Sequence, residues 1–164
     1  MRKKDIQFSV EVYASSNELN SADAALLESA RKTTNNAYAP YSNFLVGAIA
    51  SLENGQTVQG TNQENASYPV GLCAERVLLS GAASLYPGIA IKTIAISYNN
   101  LNGESDHPVS PCGICRQSLS EYEDRVSHPI RLILSGMKGE VYIIESAKHL
   151  LPLSFNATDL LKSK

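Results

Sequence analysis

Tryptophan is missing from this 164-residue chain, and cysteine occurs only three times, at Cys73, Cys112 and Cys115. Three cysteines fit no closed disulfide framework, so metal binding or catalysis is the better default for them. No apolar run reaches the roughly 18 residues of a membrane-spanning helix. An apolar leader block is lacking too. Asp5-Ile6-Gln7-Phe8-Ser9-Val10-Glu11-Val12 alternates polar and apolar residues, which is not a signal peptide's pattern. A cytoplasmic location is therefore expected, where thiols stay reduced. Charge of one sign is absent as well: 14 basic residues stand against 16 acidic ones, for a net charge of -2. The basic residues form no stripe, and Arg2, Lys3 and Lys4 read as a solvated tail, so no nucleic-acid partner and no membrane partner are expected. Repeats, linkers and low-complexity segments are also missing. With 43% hydrophobic residues, the chain can bury one core without staples, and residues 1–164 read as a single domain.

What is present alternates between strand and helix signals. Residues 5–14 read as a strand, with Ile6, Phe8, Val10 and Val12 on one face. Ser21 then resembles an N-cap, opening a helix from Ala22 to about Ala39 that Pro40 terminates. Phe44 to Leu52 is β-prone, and Glu53-Asn54-Gly55 turns it into Gln56–Gly60. A second helix is expected from about Cys73 to Leu85, stopped by Tyr86-Pro87-Gly88. Ile91–Tyr98 reads as a buried strand, followed by a long polar loop over 99–110. A third helix runs from Pro111-Cys112 to about Glu123. Strands at Arg131–Ser135 and Glu140–Ile144, a short helix near 146–150 and a tail through Asp159-Leu160-Leu161 complete the chain. This alternation predicts an α/β layered domain, and its two hairpin-like pairs make the central sheet mixed.

The chemistry concentrates where two predicted helices begin. Cys73-Ala74-Glu75 opens one, and Pro111-Cys112-Gly113-Ile114-Cys115 opens the other. A helix and a strand lie between them, and such a crossover returns the chain to the same end of a sheet. Three thiolates with no nearby fourth ligand match a catalytic zinc, which holds three protein ligands and one open position. His107 is the only credible histidine for a fourth ligand, but its polar loop reads as mobile and it is not assigned to the metal; His128 and His149 read as surface or helix-end residues. Helix N-termini favour the excess negative charge of three thiolates, and Arg76, Arg116 and Gln117 are candidates to hydrogen-bond the sulfurs. Glu75, two residues from Cys73, is placed to carry a proton between water and substrate.

A Cys or His, one residue, Glu, then Pro-Cys-x-x-Cys is the signature of zinc nucleobase deaminases. Within that superfamily the chain resembles the small cytidine deaminases of pyrimidine salvage. The resemblance runs from about Asn35 to Asp159, through Tyr38-Ala39-Pro40-Tyr41-Ser42-Asn43-Phe44-Leu45-Val46-Gly47-Ala48, Asn62-Gln63-Glu64-Asn65-Ala66-Ser67-Tyr68-Pro69, Cys73-Ala74-Glu75-Arg76, Pro111-Cys112-Gly113-Ile114-Cys115-Arg116-Gln117 and Leu150-Leu151-Pro152-Leu153-Ser154-Phe155. It implies a three-layer fold with helices flanking a mixed sheet. It also implies one zinc per chain and hydrolysis of cytidine and deoxycytidine to uridine and deoxyuridine, with Glu75 moving the protons. Asn62 and Glu64 would bind the ribose hydroxyls, Phe44 would pack on the pyrimidine, and the Ala74 backbone would meet the base carbonyl. The family forms homotetramers with shared active sites, so Ala66, Tyr68 and Phe155 would reach a neighbouring subunit's site. Two features depart from the compact family pattern: the segment 1–21 with its predicted strand, and the long loop 99–110.

Other readings make different demands. A redox dithiol at Cys112–Cys115 has no need of Cys73-Ala74-Glu75, and a structural zinc module has no need of Glu75. A blasticidin-type deaminase or a nucleic-acid editor shares the zinc signature. The Asn62-x-Glu64 pair and the mildly acidic composition favour a free nucleoside.

Overall fold

The computed structural model describes residues 1–160. Six strands form one sheet in the order β1-β6-β5-β4-β2-β3. They are β1 (Glu11–Tyr13), β2 (Phe44–Leu52), β3 (Thr57–Thr61), β4 (Ile91–Asn100), β5 (Arg131–Ser135) and β6 (Val141–Ile144). The pair β4–β5 is parallel and the other four are antiparallel, so the sheet is mixed as expected. Four α-helices are described: α1 (Ser21–Thr33), α2 (Ala74–Leu85), α3 (Gly113–Val126) and the short α4 (Ala157–Leu160). Leu161 of the expected tail lies outside the described residues.

Period-2 alternation along β4 divides the core between the two faces of the sheet. Ile94 and Ile96 join Leu78, Leu119 and Tyr122 in a cluster under α2 and α3. Ala95 joins Leu27, Ala30, Ile133 and Ile143 in a second cluster under α1. The result is three layers, with α1 on one side of the sheet and α2 with α3 on the other.

Several element bounds differ from the sequence-based expectation, each for a local reason. The strand expected over 5–14 is real only at Glu11–Tyr13, where it pairs with Val141–Ile143. β6 ends at Ile144, which this register places opposite Val10, so residues 5–9 have no strand opposite them, and Ile6 and Phe8 remain exposed. The N-cap of α1 is Asn20 instead of Ser21. Its side chain accepts from the Asp23 N–H at 2.9 Å and returns an N–H to the Asp23 carboxylate at 2.7 Å, a reciprocal cap of the capping-box type. α1 also stops at Thr33, short of Ala39, and tightens into a 3-10 turn over Thr34–Asn36. The chain must extend there, because Tyr38 forms a bridge with Gln63 and Ala39 precedes a proline. α3 runs on to Val126, three residues past Glu123. The buried Glu123 carboxylate accepts from the Ile130 and Ala147 N–H groups at 2.8 Å each, and from the Ser146 hydroxyl. That one side chain fixes the end of α3 to the start of β5.

Asp23 and Arg131 join α1 to the sheet by two hydrogen bonds of 2.8 Å, a bidentate pair. The Arg131 guanidinium holds the Asp23 carboxyl below its ordinary value, against the opposing effect of burial. A carboxyl depressed on folding contributes stability above its unfolded pKa and loses it as pH falls through the folded one. Asp23→Asn is expected to cost about 1–3 kcal/mol at neutral pH and to flatten the loss of stability below about pH 4. Urea denaturation of both proteins across the acid range checks this.

The long segment after β4, read as mobile, is docked. The Ser105 hydroxyl accepts from the Asn100 N–H at 2.8 Å, and its carbonyl accepts from the Lys138 N–H at 3.1 Å. Gly136 and Gly139 lie so close beneath that a Cβ on either would overlap the backbone of Ser105 or Asp106. Gly139 also has φ +82°, a conformation that glycine adopts freely.

Candidate active site

Both helices on the second face begin with a cysteine. Cys73 is the N-cap of α2 and Cys112 the N-cap of α3; both have extended backbones, and neither sulfur caps its helix. Cys115 follows one turn into α3 and is buried. The crossover through β4 brings all three to the same edge, with Sγ–Sγ distances of 3.7 Å for Cys73–Cys112 and 3.5 Å for Cys112–Cys115. All three sulfurs lie within 4.8 Å of one another. A tetrahedral zinc with Zn–S bonds of about 2.3 Å spaces its sulfurs about 3.8 Å apart, so the cluster fits one zinc per chain and leaves a fourth position for a non-protein ligand. His107 is no part of it. Its Nδ1 lies 3.0 Å from an Asp106 carboxylate oxygen and 3.4 Å from the Tyr98 hydroxyl.

The sulfurs share protons unequally. The Cys73 thiol is lowered to about 6, first by its hydrogen bond with Cys115, then by Cys112 and the Arg76 charge. The Cys115 thiol is pushed up by the same hydrogen bond and by burial. Glu75 stands at the second position of α2, only 5% exposed, and burial pushes its carboxyl up from the ordinary range. Its position depends on how closely α2 approaches β3. A Cβ on Gly60 would overlap the Ala74 carbonyl and meet the Leu78 N–H at 2.5 Å. Gly60→Val is expected to cost about 1–3 kcal/mol of stability and to lower activity by displacing the start of α2. Thermal unfolding and steady-state rates together check both effects.

A cavity of about 430 Å³ opens beside the cluster, lined by Phe44, Val46, Asn62, Glu64, Tyr68, Cys73, Ala74, Glu75, Ile96, Tyr98, Val109 and Cys112 among others. That volume is in the range of small-molecule sites. Asn62 bridges into β2: its Oδ1 accepts from the Val46 N–H at 2.8 Å, and its Nδ2 donates to the Phe44 carbonyl at 2.8 Å. One amide hydrogen is left over. Glu64 accepts from the Tyr41 and Ser42 N–H groups through a single oxygen, at 2.9 and 3.3 Å, which leaves its other oxygen free of those bonds. Hydrogen bonding from the Ser42 side chain is the main cause of its lowered pKa, and the two backbone N–H groups add to it.

Phe44, Asn62, Glu64, Tyr68, Ala74 and Glu75 are therefore brought together with Cys73 and Cys112. Ala66 and Phe155 lie outside the cavity lining, and Tyr68 on its rim is 74% exposed. Arg76 borders a separate groove between α2 and α3. Arg116 and Gln117 do not reach sulfur. Arg116 donates to the carbonyls of Pro111 and Leu150, at 2.8 and 3.1 Å, and Gln117 donates to that of Phe155 at 2.8 Å. They tie α3 to the segment after β6. Tyr98, Val109 and Ile96 were not singled out from the sequence. The period-2 pattern Ile94, Ile96, Tyr98 is the signal that places Tyr98 on the face shared with the cysteines.

A single zinc on three cysteines, beside a buried carboxylate and a substrate-sized cavity, defines a mononuclear zinc hydrolase on an α/β scaffold. Residues 20–128 match the model of the cytidine and deoxycytidylate deaminase zinc-binding region. A cytidine deaminase of Sporosarcina psychrophila is 35% identical over 136 residues, covering 82% of this chain and 92% of that one. The crystal structure of a cytidine deaminase from Burkholderia pseudomallei aligns with a TM-score of 0.69 and 39% identity, covering 80% of this chain and 97% of that one. The Mycobacterium tuberculosis cytidine deaminase structure aligns with a TM-score of 0.61 and 27% identity, covering 80% and 94%. The chain belongs to the cytidine deaminase family, whose zinc enzymes hydrolytically deaminate nucleosides. Among the described residues, no helix is long and apolar enough to cross a membrane.

Proposed function

We propose that this enzyme converts cytidine and deoxycytidine to uridine and deoxyuridine in the cytoplasm, releasing ammonia, as a step of pyrimidine salvage. The observation that carries this reading is the joining of the three-cysteine cluster, the buried Glu75 and the Asn62/Glu64 pair around one cavity. None of the described residues lining that cavity is Lys, Arg or His. A nucleotide's phosphate would find no cation there and would face Glu64, so the uncharged nucleoside is favoured.

Zinc held by Cys73, Cys112 and Cys115 supplies a Lewis acid that lowers the pKa of a water molecule. Glu75 takes that water's proton and passes it to N3 of the base. The water oxygen bonds to C4. Glu75 then takes the remaining proton from the new C4 hydroxyl and delivers it to the amino group, the C4–N4 bond breaks as the C4 carbonyl forms, and ammonia leaves. Burial suits the carboxylate to this shuttling, because a raised pKa brings it closer to the groups with which it exchanges protons. The Ala74 N–H, at the first position of α2, donates to the base carbonyl, and Phe44 packs on the ring. Asn62 and Glu64 hold the sugar diol with the amide hydrogen and carboxylate oxygen that their backbone bonds leave over.

Ala66, Tyr68 and Phe155 serve a neighbouring subunit's site in a homotetramer. Their position outside the cavity or at its rim supports this, as do the exposed apolar side chains of Tyr41, Tyr68, Val70 and Leu72 near its mouth. Incubating the zinc-loaded protein with cytidine, deoxycytidine, blasticidin S and free cytosine, followed by ultraviolet loss of the 4-amino group, tests the substrate. Turnover of both nucleosides is expected. Turnover of blasticidin S alone would assign the enzyme to antibiotic resistance. A sizing column is expected to show a tetramer; a monomer would remove the shared-site roles of Ala66, Tyr68 and Phe155.

A further inference from the structure

Tyr98 is used by none of the chemistry above, yet it is one of the most confined side chains in the cavity wall. It is 3% exposed. Its ring stacks on Phe44 with a centroid distance of 4.8 Å and an interplanar angle of 10°. Its hydroxyl lies 3.4 Å from His107 Nδ1, and that nitrogen is itself 3.0 Å from an Asp106 carboxylate oxygen. Asp106 belongs to the loop seated on Gly136 and Gly139, where there is no room for the backbone to sink. The phenol is thus held at both ends, by a parallel aromatic ring and by a docked loop.

This part of the cavity lining comes from elements other than the helix that carries the proton shuttle. α2 packs over β3 and β2, whereas Tyr98 lies on β4 and Val109 and Ser110 follow in the loop leading to α3. We infer that Tyr98 is the specificity-determining residue for the C5 edge of the pyrimidine, admitting hydrogen there and excluding larger substituents. This rests on the orientation under Proposed function, with the base carbonyl at the Ala74 N–H, N3 at Glu75 and C4 at the cysteine cluster. In a six-membered ring, the C5–C6 edge then points away from α2, toward Tyr98, Val109 and Ser110. A side chain that cannot turn aside converts a small increase in ligand size into a steric penalty, and one methyl group in a tight pocket changes rates by about 10–200-fold.

Two measurements test the inference. In the zinc-loaded wild type, kcat/KM is expected to fall in the order cytidine, 5-methylcytidine, 5-ethylcytidine, with at least about a tenfold drop at the first methyl. A flat series would overturn the proposal without any variant. In Tyr98→Ala, the ratio of kcat/KM for 5-methylcytidine to that for cytidine is expected to rise about tenfold or more, while Tyr98→Phe keeps the wild-type ratio because its ring remains. An unchanged ratio in a folded, active Tyr98→Ala would overturn it. Should the zinc-loaded wild type turn over neither cytidine nor deoxycytidine, the substrate assignment fails instead, which is a separate result.

Discussion

Glu75→Gln is expected to lower kcat by about three orders of magnitude while the protein keeps one zinc per chain. General acid–base catalysis contributes about 10²–10⁴-fold, and here one carboxylate serves each proton transfer, so the loss falls well inside that range. The amide matches the carboxylate in shape and removes only the proton traffic. Glu75 is buried at the second position of α2 and is not one of the three clustered sulfur ligands, and glutamine keeps a polar group where the carboxylate meets Cys115. Zinc content by atomic absorption and KM for cytidine are therefore expected to stay near the wild-type values while kcat collapses. A Glu75→Gln protein with near-normal kcat would return Glu75 to the role of a first-turn helix residue. Loss of zinc together with activity would make it structural.

Cys112→Ala is expected to abolish both zinc retention and turnover. Cys112 lies within 3.7 Å of Cys73 and 3.5 Å of Cys115, so its sulfur is the corner shared by both measured edges of the triangle. Removing it leaves two ligands where a catalytic zinc takes three. The helix start itself survives, because the Cys112 side chain makes no cap hydrogen bond. Far-ultraviolet circular dichroism is expected to remain close to wild type while bound metal falls far below one ion per chain, since losing even an outer partner of a metal ligand costs about 10–100-fold in affinity. Retained zinc with retained activity would require another ligand in place of Cys112.

Much of this was legible in the sequence, because the information is local. Cys73 and Cys112 fall at the starts of helices expected over about 73–85 and 111–123, and the strands β2, β4 and β5 carry strong apolar, β-prone signals. The mixed sheet followed from two short turns. Features that depend on distant partners were not legible. Residues 5–10 alternate like a strand, but their pairing required a longer β6 than the chain provides. The end of α1 was set by the bridge from Tyr38 to Gln63, twenty-five positions away, and Pro40 only limits how far the helix can run. The loop after β4 reads as polar and mobile because its anchors, Gly136 and Gly139, lie in another hairpin. Arg116 and Gln117 stand next to a cysteine in sequence, yet they turn to carbonyls of Leu150 and Phe155 that adjacency cannot reveal. Tyr98 belongs with these residues: its surroundings come from Phe44 across the sheet and His107 across the loop.

The most direct measurement is the rate of cytidine deamination as zinc is added back to chelator-stripped protein, with bound metal counted in each sample. Activity is predicted to rise in proportion to zinc and to level off at one ion per chain. Stripped protein that deaminates cytidine at the full rate would contradict the account, as would protein carrying one zinc per chain that deaminates no nucleoside.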